Sequence, residues 1–301
     1  MTTINRAEPA YIFRVSPDLT LRWTGLSILL FFISVAGVSA YYQAIHNRPW
    51  SLGTQTNYNG AFSGFLLFVT VLIGTLFFHE LVHGLAFTAF GGSPRYGVGI
   101  KYFLAYAYAT SPGTLFSRNA FVVISLAPLV VIDIMCLFLL ALFPQAMWLG
   151  WLVIINTCGA IGDIWMAILL LRCPASIQVE DHRSGMAIYT PPNVDVRSLP
   201  FKTPTHKARS ALWVWVSTTL LFLIVVPISS LLLTIIFDVL RVPSFILGTE
   251  DFWILRWQNN DQGFGIVFHL PSILAIAATI GLVGILLKVL HTKKNHHRPN
   301  N

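Results

Sequence analysis

Six long apolar runs constrain what this chain can fold into more than any other feature. Each run has about 20 residues or more, which is long enough to cross a hydrocarbon core roughly 30 Å thick. In lipid, only helices and closed barrels satisfy their backbone polar groups, and barrel strands alternate over segments of about 10 residues. Because these runs are continuous, we predict an all-α polytopic membrane protein with a six-helix transmembrane bundle. The predicted spans are residues 23–45, 61–90, 119–143, 146–171, 211–238 and 270–290.

The distribution of charge agrees with membrane insertion and predicts an orientation. Charged residues make up 10% of the chain, against about 25% in ordinary soluble domains. With the N-terminus inside, all 19 Lys and Arg residues except Arg48, Arg241 and Arg256 fall in cytoplasmic segments. The positive-inside rule explains this bias, so the net charge of +7 requires no nucleic-acid partner. We predict an integral protein of a prokaryotic cell membrane with cytoplasmic N- and C-termini.

The spans divide the chain into six predicted parts. Spans 2 to 4 hold nearly all the ionisable groups that lie inside spans, so we predict that they form the functional core. The segment after span 4 is the longest polar stretch and is rich in proline. The parts are a cytoplasmic arm (1–22), the first span with an outer loop (23–60), a core of spans 2 to 4 (61–189), a cytoplasmic linker (190–210), accessory spans 5 and 6 (211–290) and a basic tail (291–301).

The segment after the second span has the alternation of a β-strand. Residues 95–110 read RYGVGIKYFLAYAYAT, in which tyrosines and aliphatic residues alternate largely with small residues. A period of two that is rich in Tyr and Val predicts a strand, and Pro112-Gly113 supplies a nearby turn. We therefore predict a short β-like hairpin here. In one interpretation it covers helix ends, and in another one of its edges pairs with an extended peptide.

The second span carries the sequence TLFFHELVHGLAF, in which ionisable side chains are costly to place in lipid. His79 and His83 are four residues apart, so their imidazoles lie on one helix face and can reach one Zn²⁺. Glu80 projects beside that face and can act as general base on a zinc-bound water. A purely structural interpretation is the alternative. In it the histidines bond backbone carbonyls and the glutamate bonds one histidine.

A hydrolytic zinc site needs a third protein ligand and an open position for water. Asp163 in span 4 and Asp133 in span 3 both lie within about 10 Å of the depth of His79. Asp163 is favoured, because two nearby glycines permit close helix approach or a local break. Asn156 lies on the same helix face and is predicted to orient a ligand or to bind substrate, and Asp133 to orient a histidine or stay protonated. Further candidates for the third ligand, otherwise expected to be solvated, are Glu180, Asp181 and His182.

This set of residues resembles that of the membrane zincin peptidases, a family distantly similar to the site-2 intramembrane metalloproteases. The resemblance rests on HELVHG in a membrane helix, a β-like loop after it and an aspartate-bearing helix two spans later, and it covers roughly residues 60–189. It implies that His79 and His83 are metal ligands and that Glu80 is the base. It also implies that Asp163 is the third ligand and that Asn156 corresponds to the asparagine of the Asn…Asp-Gly motif. Here isoleucine, not glycine, follows the aspartate.

From these features we predict a zinc-dependent membrane-embedded endopeptidase that hydrolyses peptide bonds in or near transmembrane segments. Its cofactor would be Zn²⁺, and its partners the lipid bilayer and a membrane-protein or peptide substrate. The alternative is a catalytically inactive, metal-binding membrane adaptor or assembly factor that retains the motif. A transporter is disfavoured, because the ionisable groups inside spans are few and no repeat relates two halves of the chain.

Overall fold

The structure is a computed structural model that describes residues 8–50, 61–101, 104–182, 185–192, 194–196, 199–201, 211–250, 253–260 and 263–296. Residues 1–7 of the predicted arm, 51–60 of the outer loop, 202–210 of the linker and 297–301 of the tail lie outside the described residues. The chain forms two compact units. One comprises Met1–Gln55 and Phe68–Thr203, and the other comprises Thr56–Leu67 and Pro204–Asn301.

Seven helices account for most of the described chain. They are α1 (Pro17–His46), α2 (Ala61–Ala89), α3 (Arg118–Leu142), α4 (Trp148–Gly159), α5 (Ile161–Leu171), α6 (Ala211–Val239) and α7 (Leu270–His296). The first three are long and apolar enough to cross a membrane, and α4 with α5 passes the same test as one span bent by 46°. Within the described residues of α6 and α7 only shorter apolar stretches are found. Spans 5 and 6 therefore stay predictions.

The all-α prediction is wrong, because the described residues also form three antiparallel sheets. The first sheet has the order β1-β6-β5-β4, and the second pairs β2 with β3. The third, in the second unit, has the order β7-β8-β9. The strands are β1 (Tyr11–Arg14), β2 (Arg95–Lys101), β3 (Leu104–Thr110), β4 (Leu115–Ser117), β5 (Gln178–His182), β6 (Gly185–Tyr189), β7 (Phe245–Gly248), β8 (Trp253–Asn260) and β9 (Gly263–Phe268). The predicted hairpin is confirmed as β2–β3, whereas the other strands, all of which lie outside the six apolar runs, were not predicted from the sequence.

Capping residues explain where α3 begins and α2 ends. The Ser117 hydroxyl accepts a hydrogen bond from the Ala120 N–H at 3.3 Å and so caps the start of α3. Gly91 has a φ of 81° after the end of α2, and the Gly92 N–H donates to the Phe87 carbonyl at 2.8 Å. This left-handed glycine ends the helix and turns the chain directly into β2.

A break between α4 and α5 leaves backbone carbonyls without their helical donors, and α1 satisfies one of them. The Ser27 hydroxyl of α1 donates to the Cys158 carbonyl at 2.9 Å. The Trp23 ring of the same helix lies 3.3 Å from the position that a Cβ on Gly162 would occupy. Close packing of α1 thus supports the break, which places Asp163 in the first turn of α5.

The first sheet packs on the ends of α2, α3 and α5. Each large side chain buried there contributes about 1.5–3 kcal/mol, so the core fixes β4 and β5 relative to the helices. The core residues are Phe13, Phe87, Phe116, Phe121, Ile124, Leu170, Cys173, Ile177, Val179, Met186, Ile188 and Leu199.

Candidate metal centre

Three side chains able to bind a metal converge from α2 and α5. His79 Nε2 lies 3.1 Å from Asp163 Oδ2, and His83 Nε2 lies 3.5 Å from Asp163 Oδ1. One ligand atom from each residue can be chosen so that all lie within 4.8 Å of one another. The side chains of His79, His83 and Asp163 are 13%, 12% and 15% exposed, so the cluster is enclosed but still reachable from outside.

This arrangement fits a tetrahedral zinc site. Zinc bonds of about 2.0–2.2 Å place two tetrahedral ligand atoms about 3.3 Å apart. Each imidazole lies close to this distance from one oxygen of Asp163, His79 from Oδ2 and His83 from Oδ1. Two imidazoles and one carboxylate, with a fourth position left for water, form the donor set of hydrolytic zinc sites. Among the described residues, no other group of His, Cys, Asp and Glu side chains meets the same geometric test.

His79 is oriented by a chain of side chains that crosses three helices. Its Nδ1–H donates to Asn156 Oδ1 at 2.8 Å, which leaves Nε2 free to face Asp163. The Asn156 amide nitrogen donates to Asp133 Oδ1 at 2.8 Å and to the Pro128 carbonyl at 3.1 Å. The Thr157 hydroxyl donates to Asp133 Oδ2 at 2.7 Å. Asn156 is only 1% exposed, so its amide orients the histidine and is not open to substrate.

His83 is oriented by a backbone carbonyl that a proline has left without a donor. Its Nδ1–H donates to the Ile124 carbonyl of α3 at 3.0 Å. In a regular helix this carbonyl would accept the N–H four residues later, but that residue is Pro128, which has none. Because a carbonyl only accepts, this bond fixes the proton on Nδ1, and the Nε2 lone pair of His83 is left to bind a metal.

Glu80 contacts the free edge of the second sheet. The Ala109 N–H of β3 donates to Glu80 Oε2 at 2.6 Å. On the next turn of α2, a Cβ at Gly84 would overlap the Tyr96 hydroxyl of β2, so the hairpin packs directly against the helix. Tyr96 and Ala109 are paired across the hairpin. The α2 face that carries Glu80 is therefore covered by β-structure.

The alternative ligands Glu180, Asp181 and His182 lie outside the metal cluster, on β5. Glu180 is 5% exposed, so the expectation that these residues are solvated is wrong for it. Burial raises the pKa of Asp181 to about 7, and the negative charges of Glu80 and Asp163 add to this, against a hydrogen bond from the Ser111 N–H and the charge of His83.

The structure thus joins five of the six predicted site residues through side-chain contacts, and the sixth, Glu80, follows His79 on α2 and accepts the Ala109 N–H. Asp133 reaches His79 only through Asn156, and so lies one step farther from the centre than Asp163 does. The predictions did not include the Ile124 carbonyl or the Ala109 N–H. Pro128, four residues after Ile124, was a readable signal for the first, whereas no side chain marks the second.

Geometry alone therefore defines a class: an apolar helical protein with a His-His-carboxylate centre beside a glutamate. A protein-family model described as "Putative zincin peptidase" matches residues 72–177. All six predicted site residues fall within the match, whereas α1, β5 and β6 lie outside it. The match supports a zinc metallopeptidase assignment for this stretch. No curated protein and no solved structure matches the chain.

Proposed function

We propose that this protein is a zinc-dependent, membrane-embedded endopeptidase that hydrolyses peptide bonds in or near transmembrane segments. The observation that carries the proposal is the convergence of His79, His83 and Asp163 within apolar helices. Ionisable groups at such positions are costly, and they usually mark functional sites. The family match over residues 72–177 supports peptidase chemistry for the same stretch.

In this proposal the Nε2 atoms of His79 and His83 and the carboxylate of Asp163 hold the zinc ion. The Nδ1–H bonds to Asn156 and to the Ile124 carbonyl keep both imidazoles in the required tautomer. When bound, zinc supplies Lewis acidity, which polarises a carbonyl and brings the pKa of water to about 7.

Glu80 acts as the general base. It takes a proton from the attacking water and later returns that proton to the leaving amine, so its own charge is restored after each cycle. The Ala109 N–H holds Glu80 Oε2, which leaves Oε1 to receive the proton. Strand β3 therefore determines which oxygen of Glu80 is left to take the proton.

The free edge of β3 is the proposed docking position for an extended substrate. In an antiparallel sheet, a residue whose N–H points away from the partner strand belongs to a pair without hydrogen bonds between the strands. The Ala109 N–H points to Glu80, so Ala109 and Tyr96 form such a pair. By the alternation of antiparallel pairs, the backbone groups of Ala107 point to the same free edge. A peptide added there as a strand would pass beside Glu80 and the metal ligands.

The proposal includes the predicted topology. The N- and C-termini would be cytoplasmic, α6 and α7 would form spans 5 and 6, and the membrane would be that of a prokaryotic cell. The asymmetric distribution of Lys and Arg supports this orientation. A substrate segment would then reach the site from the cytoplasmic half of the bilayer.

The test uses the full chain in liposomes with reporter proteins that each carry one transmembrane helix. Wild type, Glu80→Gln and the matched control Glu8→Gln are compared for zinc content and for new N-termini found by mass spectrometry. We expect zinc in all three and cleavage only in wild type and Glu8→Gln, with a loss of at least about 100-fold in Glu80→Gln. Equal cleavage by Glu80→Gln would end the proposal. Stoichiometric zinc with no cleavage in wild type would instead favour the adaptor.

A further inference from the structure

Two carboxylates of β5 hold the turn that joins β3 to β4. Glu180 Oε1 accepts the Gly113 N–H at 2.7 Å, and Asp181 Oδ2 accepts the Ser111 N–H at 3.3 Å. Hydrogen bonds inside a protein are electrostatically stronger than in water, and Glu180 is almost completely buried. We refer to Glu180 and Asp181 as the β5 clamp.

The position of Glu180 is itself set by the first sheet. The Tyr189 hydroxyl of β6 donates to Glu180 Oε2 at 2.7 Å. The β5–β6 pairing places Gln178 opposite Tyr189, and the neighbouring Val179 is fully buried in the core. The carboxylate therefore cannot follow the turn if the turn moves, so it acts as a fixed reference for that turn.

Ser111 extends the hold of the β5 clamp to both strands of the hairpin. Its hydroxyl oxygen accepts the Ser93 N–H just before β2, at 3.0 Å, and Ser111 is 0% exposed. A Cβ added to Gly92 would lie 2.6 Å from the same oxygen, so the chain is packed tightly at this point. The base of the β2–β3 hairpin is thus fixed on its two sides.

Ser111 of the clamped turn lies only two positions after Ala109, which contacts Glu80. Ser111 is held by Asp181, and Ala109 donates to Glu80 Oε2. Over so short an extended segment, a shift of the turn moves the Ala109 N–H by a similar distance. A hydrogen bond weakens steeply with displacement and misalignment, so the turn sets how well Glu80 is held.

We propose that Glu180 and Asp181 are positioning residues that set the β3 edge in register with Glu80. This inference rests on the proposed peptidase function, and it assigns a role to residues beyond the 72–177 family match. The hydrogen bonds that define the clamp go to the turn, through the N–H groups of Gly113 and Ser111. It acts through the Ala109 N–H on the base, and through the β3 edge on an extended substrate.

The test compares Glu180→Ala, Glu180→Gln, Tyr189→Phe and the control Gln178→Ala, an exposed position on β5, with wild type. Tyr189→Phe removes one hydrogen bond from Glu180 and leaves the Gly113 contact, while glutamine keeps a neutral acceptor for the Gly113 N–H. Amide exchange is followed by mass spectrometry on peptides covering residues 104–114, together with zinc content and the kcat and KM of reporter cleavage.

We expect exchange to be fastest in Glu180→Ala, by about 10-fold or more over wild type, intermediate in Glu180→Gln, least increased in Tyr189→Phe, and unchanged in Gln178→Ala. Zinc content should stay at the wild-type level in all variants, and kcat should fall in the same order as exchange rises. If Glu180→Ala does not fold, the exchange rates of Glu180→Gln and Tyr189→Phe are compared with wild type, and they test the clamp instead.

The two ideas fail in distinguishable ways. A wild type that binds zinc but cleaves nothing contradicts the peptidase function and leaves the exchange measurement intact. Unchanged exchange over residues 104–114 in the Glu180 variants would overturn the clamp. Faster exchange with unchanged kcat in an active enzyme would overturn its positioning role.

Discussion

Two regions of the same unit build the candidate site, and they use different chemistry. On the helical side, α2 to α5 place His79, His83 and Asp163 together through contacts among buried side chains. On the strand side, backbone N–H groups of β3 and its turn donate to the carboxylates of Glu80, Glu180 and Asp181. The first region presents metal ligands, and the second holds the proposed base.

This difference implies that metal binding and proton transfer can be perturbed separately. The ligand geometry depends on helix packing, which is insensitive to small shifts of a surface strand. The orientation of Glu80 depends on one donor in a two-stranded hairpin, whose position is set by a turn. We therefore expect variants of the helical side to change zinc content, and variants of the strand side to change turnover at constant zinc content.

Removal of a proposed ligand is the strongest test of this separation. Asp163→Ala deletes the carboxylate that lies near both imidazoles, and we expect it to lose bound zinc. Loss of a residue that hydrogen-bonds a metal ligand typically weakens metal binding by about 10–100-fold. Loss of the ligand itself should weaken zinc binding by more than that. Metal analysis of the purified protein measures this, with Asp181→Ala as the carboxylate control that keeps zinc. If Asp163→Ala retains zinc, a residue other than Asp163 is the third ligand.

The next largest effect is expected from Asn156→Leu, which keeps side-chain volume but removes the acceptor for His79 Nδ1–H. It also leaves the Asp133 carboxylate without its amide donor. We expect zinc to bind about 10–100-fold more weakly, as measured by competition with a chelator dye. Thr157→Val, which removes only the hydroxyl bond to Asp133, should have a smaller effect. Equal affinities of Asn156→Leu and wild type would show that the chain through Asn156 does not orient His79.

The helical side could be predicted from sequence because its parts carry strong local signals. Apolar length gives helices, four-residue spacing puts two histidines on one face, and ionisable residues inside spans are rare enough that Asp163 and Asp133 stand out. The bend between α4 and α5, by contrast, has no proline to mark it in the sequence. It depends on Ser27 and Trp23 of α1, more than 130 residues away from Cys158 in sequence.

The strand side could be predicted only in part, because its decisive groups belong to the backbone. Alternation predicted β2–β3, but an Ala109 N–H is indistinguishable in sequence from any other N–H. Glu180 and Asp181 looked like solvated loop residues, since strands of five residues carry little signal. Their roles follow from antiparallel pairing with β4 and β6, which is a contact between distant segments.

Pro128→Ala separates helix stability from ligand orientation within α3. The new N–H at position 128 would compete with His83 Nδ1–H for the Ile124 carbonyl. We expect zinc affinity to fall by only a few-fold, since a carbonyl can accept two bonds. Helix stability should rise, because proline inside a helix costs about 3 kcal/mol relative to alanine. Unaltered zinc affinity in Pro128→Ala would show that the missing N–H at position 128 has no effect on the orientation of His83.

The smallest expected effect concerns the pH dependence of stability on the strand side. Burial raises the pKa of Asp181 from 3.8 in the unfolded chain to about 7 in the folded protein. The folded state therefore binds the proton more tightly, so stability is greatest below about pH 4 and is lost as pH rises through 7.

Asp181→Asn resembles the protonated form and keeps an acceptor for the Ser111 N–H. In metal-free protein, its melting temperature should match wild type near pH 5 and exceed it near pH 8. Because 1 kcal/mol shifts Tm by about 2–4 °C in domains of this size, the difference should reach a few degrees. Tryptophan fluorescence during heating measures it, and a difference that stays constant between the two pH values would show that Asp181 ionises as a solvated carboxyl does.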